Sequence, residues 1–242
     1  MTNVILYGLI SVLPLILGAM LGVYFKVPQK VVGWISAFGA GTMIAALTFG
    51  LMEESFNLGG FDNSILGFLA GGLLFVIGDF IIIKIGGRGH KKYYDAASST
   101  GEGIVLGAIL DGIPESVALG IGFALNPTVG LLVLVGIIAA NLPEGLSSAY
   151  DLKKQGKTIG DILFIWGMVS VVCLTFVILG YAVFSNFSSS VVATFESVAA
   201  GAILAMLAAT MMPEAYKESG VSTSTATVFG FLLTFIISKL GV

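Results

Sequence analysis

Two short stretches of this sequence place acidic side chains in the middle of long apolar segments. The first reads Asp111-Gly-Ile-Pro-Glu-Ser116 and the second reads Asn141-Leu-Pro-Glu-Gly-Leu146. A charged side chain near the centre of a bilayer costs about 2.5–3.5 kcal/mol on insertion scales. A proline within a helix also removes a backbone donor and crowds the carbonyl four residues earlier. Because the same Pro-Glu pair occurs in both stretches, the two together indicate an oxygen-rich site that suits a cation.

The spacing of these residues predicts which of them share a helix face. Asp111 and Glu115 are four residues apart, and Asn141 and Glu144 are three apart, so each pair lies on one side of its own helix. If the two faces meet, three carboxylates and an amide oxygen converge, and they must be protonated, hydrated or metal-bound. No Lys or Arg lies at that depth, so a divalent cation is the simplest neutraliser. Oxygen ligands favour Mn, Mg or Ca.

Composition predicts an integral membrane protein. The 242 residues are 57% hydrophobic and 10% charged, against about 25% charged in soluble domains. No basic patch with interleaved aromatic residues indicates nucleic acid. Cys173 is the one cysteine, so no internal disulfide is expected, and we interpret it as a small buried hydrophobe. The start has no basic residue before its apolar run, which favours a membrane helix over a cleaved signal peptide.

Hydropathy predicts a single all-α transmembrane domain with eight spans, each near the length that a bilayer requires. The predicted spans are 3–25, 31–54, 63–85, 103–125, 128–150, 159–184, 191–214 and 223–241. The segment 86–102 is predicted to be a cytoplasmic loop, and it contains the chain's one histidine, His90. We expect His90 to be a solvated loop residue. The predicted spans themselves contain no histidine.

The basic residues support this count. With eight spans, ten of the eleven Lys and Arg residues fall on one face and only Lys239 falls on the other. Basic residues are retained in the cytoplasm, so both termini are predicted to lie outside, in a multi-pass protein of the cell (plasma or inner) membrane.

The second and seventh spans match weakly when Gly41 is set against Gly201. Glu54 then pairs with Glu214. The two spans run in opposite directions, which is the relation that an inverted repeat produces. In this arrangement Glu54 lies at the outer mouth and Glu214 at the inner mouth.

The two Pro-Glu stretches resemble the fourth and fifth helices of the ZIP (Zrt/Irt-like) metal transporters, whose motifs read roughly His-Asn-x-Pro-Glu-Gly. The second and seventh spans are also similar to family segments. The resemblance implies eight helices in an inverted-repeat bundle, a homodimer, and transport of a divalent cation such as zinc, Mn, Fe or Cd by alternating access. No cofactor is implied beyond that cation, which is the substrate.

The resemblance also assigns roles by position. Glu115, Glu144 and Asn141 match motif ligands, and Asp111 stands where the family has a histidine. Gly112 and Ala140 replace an asparagine and a histidine, and neither supplies a ligand. Four further residues are candidates for the entrance and exit of the cation: Met43, Glu53, Glu54 and Glu214.

Two other functions stay open from the sequence. The missing histidines are compatible with a relative that has lost transport and serves as a metal sensor or partner subunit. An intramembrane protease is disfavoured, because Asp79 lacks the Gly-x-Gly-Asp pattern and no Ser-His or zinc-hydrolase constellation is available. We therefore expect a protein that is not an enzyme.

Overall fold

The computed structural model describes residues 2–85 and 101–240. Most of the predicted loop 86–102, including His90, lies outside these residues. Every regular element in the described ranges is helical, in agreement with the predicted fold class. The helices are α1 (Thr2–Tyr24), α2 (Gln29–Ala46), α3 (Glu53–Ile85), α4 (Gly101–Leu125), α5 (Pro127–Lys154), α6 (Ile159–Phe184), α7 (Ser189–Met206), α8 (Met212–Ser219) and α9 (Ser222–Leu240).

Within the described residues, seven helices are long and apolar enough to cross a membrane. One of them runs from Gln29 to Ile81 and has 53 residues. This helix is interrupted at Gly60, which has φ 74° and ψ −175°. Glycine is the residue that adopts such a conformation without strain.

The chain reverses sharply at Gly60. The side-chain oxygens of Ser55 and Ser64 are 3.0 Å apart, although nine residues of straight helix would separate them by about 13.5 Å. Ser64 also donates to the Gly60 carbonyl at 2.8 Å. The segments before and after Gly60 are therefore two helices that lie side by side over these turns.

The helix bounds follow local sequence signals. Asn126 ends α4 and caps α5, accepting a hydrogen bond from the Thr128 backbone at 3.1 Å, with Pro127 in the first turn. Thr158 caps α6 by accepting from the Asp161 backbone at 3.2 Å. Both arrangements satisfy backbone donors that a helix start leaves unpaired.

Two helices widen into π-helical segments in mid-course. The segment Leu47–Met52 joins α2 to α3, and Leu207–Met211 joins α7 to α8. Thr48 and Thr210 each donate to the carbonyl four residues earlier, at 2.7 Å, which competes with the regular ladder. Such segments are frequent at functional sites.

Glycines bring helices into backbone contact, most closely in four pairs. A Cβ added at Gly18 of α1 would lie 2.2 Å from the Leu142 carbonyl of α5, and one at Gly120 of α4 would lie 2.3 Å from Val177 of α6. The helices α4 and α5, which carry the Pro-Glu stretches, are thus packed directly against the backbones of α6 and α1.

The other two glycine-packed pairs are α2 with α9 and α3 with α7. A Cβ at Gly41 would lie 2.0 Å from the Thr227 carbonyl, and one at Gly201 would lie 2.0 Å from the Phe68 carbonyl. Small residues that allow this approach are the usual basis of helix packing in membranes.

Candidate metal site

Glu115 and Glu144 come together between α4 and α5. Both helices continue through their prolines, Pro114 and Pro143. Glu115 is 4% exposed and Glu144 is half-buried. The Glu144 carboxylate is close enough to repel that of Glu115 electrostatically. The two motif glutamates therefore share one region of the bundle interior.

The side chain of Asn141 is held by a hydrogen bond to the backbone of α1. It is 5% exposed, and its Nδ2 donates to the Ser11 carbonyl at 2.8 Å. The amide nitrogen is thus used by a neighbouring helix, so Oδ1 is the atom that remains for a cation.

Cys173 of α6 lies in the same region, although the sequence suggested a hydrophobic role for it. It is 3% exposed, it is hydrogen-bonded to Ser116, and both Glu144 and Glu115 act on it electrostatically. A Cβ added at Gly112 would lie 2.8 Å from its Sγ. The thiol therefore occupies the space beside Gly112, where the ZIP motif has an asparagine.

Asp111 lies one turn before Glu115 on α4 and is half-buried. Among the residues that the structure describes, no three His, Cys, Asp or Glu side chains are grouped closely enough to hold a metal ion. The predicted ligand set of Asp111, Glu115, Asn141 and Glu144 therefore stays a prediction.

Glu214 is connected to the central helices by a hydrogen bond. Ser147 Oγ of α5 donates to Glu214 Oε1 of α8 at 2.9 Å. Ser147 follows Glu144 by three residues and so lies on the same face of α5. A polar side chain on the same face of α5 as Glu144 thus contacts the predicted exit residue.

The predicted entrance residues differ in exposure. Glu53 is exposed and Glu54 is half-buried. Met43 is 1% exposed within the main hydrophobic core, and a Cβ at Gly136 of α5 would lie 2.4 Å from its Sδ. In this conformation Met43 packs two central helices together.

Three residues of the interior are missing from the predicted site. Cys173 is interpreted from the sequence as a small buried hydrophobe, and neither Ser147 nor Glu196 is singled out. Glu196 is 0% exposed. The available signal was a glutamate within an apolar span, the same signal that marks Glu115 and Glu144.

Comparison with known proteins identifies a relative in a plant. The chain is 26% identical over 217 residues to a protein of Arabidopsis thaliana named "Putative zinc transporter". The match covers 88% of this chain but only 35% of that protein, so the chain spans about a third of its relative's length. No family model matches the chain.

Proposed function

We propose that this protein carries divalent metal cations across a membrane. The observation that carries the proposal is the pairing of the buried Glu115 with the half-buried Glu144, held in repulsive proximity between two proline-containing helices. Buried like charges without a cation are costly, and a dication offsets both at once. The similarity to a protein named as a zinc transporter supports the same proposal, and it favours a carrier over an enzyme.

The cation is bound by Glu115 and Glu144 with Asp111 and the Oδ1 atom of Asn141. Oxygen ligands alone favour hard ions, whereas the nearby Cys173 thiol adds affinity for softer ions such as zinc or cadmium. The cation enters the bundle past Glu53 and Glu54, and it leaves past Ser147 and Glu214.

The proposed topology has eight spans, both termini outside the cell, and an inverted repeat. The reversal at Gly60 supports counting the 53-residue helix as two spans. The repeat is supported by the two π-helical segments, which begin at Leu47 and Leu207, positions that the alignment of Gly41 with Gly201 pairs. Alternating access then comes from rocking of one repeat against the other, in a ZIP-like homodimer of the cell membrane.

Uptake into proteoliposomes tests this proposal. The Glu115→Ala/Glu144→Ala variant is expected to lose Zn²⁺ and Mn²⁺ uptake, whereas Asp62→Asn, at an exposed acid of α3, keeps it. Unchanged uptake in the double variant would overturn the proposal.

A second candidate is a cation-binding protein that does not transport. It is motivated by Gly112 and Ala140, which stand where the ZIP motif has an asparagine and a histidine and supply no side-chain ligand. Tight binding that depends on Glu115 and Glu144, without flux, would select this function. Flux would exclude it.

A further inference from the structure

Glu196 is a buried carboxylate that the central site does not use. It lies on α7 with 0% of its surface exposed, and neither of its carboxylate oxygens has a hydrogen-bond partner among the described residues. An unpaired carboxylate in an apolar interior carries a large desolvation penalty. A positive ligand would remove that penalty.

The polar groups packed around this turn of α7 are already paired with one another. Ser55 donates to the Ala193 carbonyl at 2.8 Å and contacts Ser64. Ser197 donates to the Asn63 carbonyl at 3.3 Å. This network joins α3 to α7 and leaves no hydroxyl directed to the Glu196 carboxylate.

The charge that acts on Glu196 is a second carboxylate, Glu54. Lys239 of α9 places its Nζ 5.3 Å from the ring centroid of Phe49 and 6.0 Å from that of Phe235. Its ammonium group therefore lies over aromatic faces. Two carboxyl groups therefore remain together, one buried and one half-buried.

Helix packing does not itself require a glutamate at this position. The alignment that pairs Glu54 with Glu214 pairs Glu196 with Ser36 of α2, which is also buried, at 8% exposure. At the equivalent place in the other half of the bundle a small hydroxyl is sufficient. The carboxylate at Glu196 therefore needs a reason beyond packing.

We propose that Glu54 and Glu196 form a second divalent-cation site, at the end of the bundle where the chain reverses at Gly60. The half-buried Glu54 receives the cation from solvent, and the buried Glu196 binds it within the bundle. Two carboxylates match one dication in charge, and their oxygens suit a hard or borderline ion such as Mn²⁺. Binding here is independent of transport; a role as the first stop of a transported cation rests on the proposed function.

The test is Mn²⁺ binding to the purified full chain by equilibrium dialysis, in a Glu115→Gln/Glu144→Gln background that disables the central site. We expect one Mn²⁺ per chain to remain bound. Adding Glu196→Gln or Glu54→Gln abolishes that binding, whereas adding Asp62→Asn leaves it unchanged. Thermal unfolding of each variant shows whether the fold is retained, and glutamine keeps the shape of glutamate.

Each outcome separates the two proposals. A folded background variant that binds no Mn²⁺, or binding that Glu196→Gln does not change, overturns the second site. If Mn²⁺ binding depends on Glu196 but uptake is unchanged when Glu115 and Glu144 are substituted, the second site is established and the proposed function is wrong. As a second measurement, Mn²⁺ should raise the unfolding temperature of the background variant and not of its Glu196→Gln derivative, because a ligand that binds only the folded state stabilises it.

Discussion

The Ser147 hydroxyl on α5 donates a 2.9 Å hydrogen bond to Oε1 of Glu214 on α8. This bond joins the helix that carries Glu144 to the segment that follows the second π-helical widening. The predicted exit residue Glu214 is thus hydrogen-bonded to a helix that carries a Pro-Glu stretch. Ser147 and Glu214 are therefore the two residues at which the proposed release of the cation can be tested.

Removing that bond should slow release and preserve binding. We expect Ser147→Ala to reduce the uptake rate about threefold, because interhelical hydrogen bonds in membranes contribute about 0.6 kcal/mol on average. The affinity for Zn²⁺ at the central site should stay unchanged. Uptake kinetics with parallel binding titrations check this. Ser148→Ala, the neighbouring buried serine, is the control. A large loss of affinity in Ser147→Ala would place the residue in the binding site instead.

The Cys173 thiol is expected to set the preference between soft and hard ions. Thiolate ligands favour zinc, whereas oxygen ligands favour manganese, so Cys173→Ser should lower the ratio of Zn²⁺ to Mn²⁺ affinity by about tenfold, within the range for residues that tune metal sites. Competition titrations with both ions measure this ratio. Ser170→Ala, at a buried position one turn earlier on α6, should leave it unchanged. An unaltered ratio in Cys173→Ser would mean that the thiol only fills space.

Gly112 and Cys173 should be coupled by sterics. A Cβ at Gly112 would lie 2.8 Å from Sγ of Cys173, so Gly112→Ala is expected to destabilise the protein by about 1–3 kcal/mol, as overpacking does. Cys173→Ala removes the sulfur and should recover most of that loss in the double variant. Thermal unfolding in detergent of the unaltered protein, the two single variants and the double variant gives a double-mutant cycle. Additive losses would show that the two positions do not touch.

The backbone contact at Gly201 should tolerate no side chain. A Cβ there would lie 2.0 Å from the Phe68 carbonyl oxygen, a contact that only separation of α3 from α7 could relieve. We expect Gly201→Ala to lower folded yield and unfolding temperature strongly. Gly167→Ala on α6 is the matched control, because nothing lies within 4 Å of its added Cβ. Equal behaviour of the two variants would contradict the packing described here.

Much of the helical layout could be predicted from apolar length and turn residues. The predicted span 159–184 coincides with α6, and the span 128–150 lies within α5. The weak match between Gly41 and Gly201 was predicted from sequence, and both glycines prove to pack against a backbone carbonyl. Periodicity and hydropathy report such features because they depend on local composition.

Other features depend on tertiary contacts that no local pattern encodes. The π-helical segments were predicted as ordinary helix, since nothing in the residues Leu47–Met52 distinguishes them from a regular turn. The place of Cys173 beside Gly112 depends on how α6 packs against α4. Hydropathy treats a cysteine in an apolar run as one more hydrophobe, so its position at the carboxylate pair appeared only in the folded chain.

The burial of Cys173 has a practical consequence, because it is the one cysteine in the chain. The natural sequence already carries a single reporter position, adjacent to the carboxylate pair. A thiol reagent that reaches it must pass through the interior of the bundle, so its labelling rate measures how often that interior opens to water. Conformational exchange can thus be timed in the unaltered protein, with a cation present or absent, and without engineering a cysteine-free background.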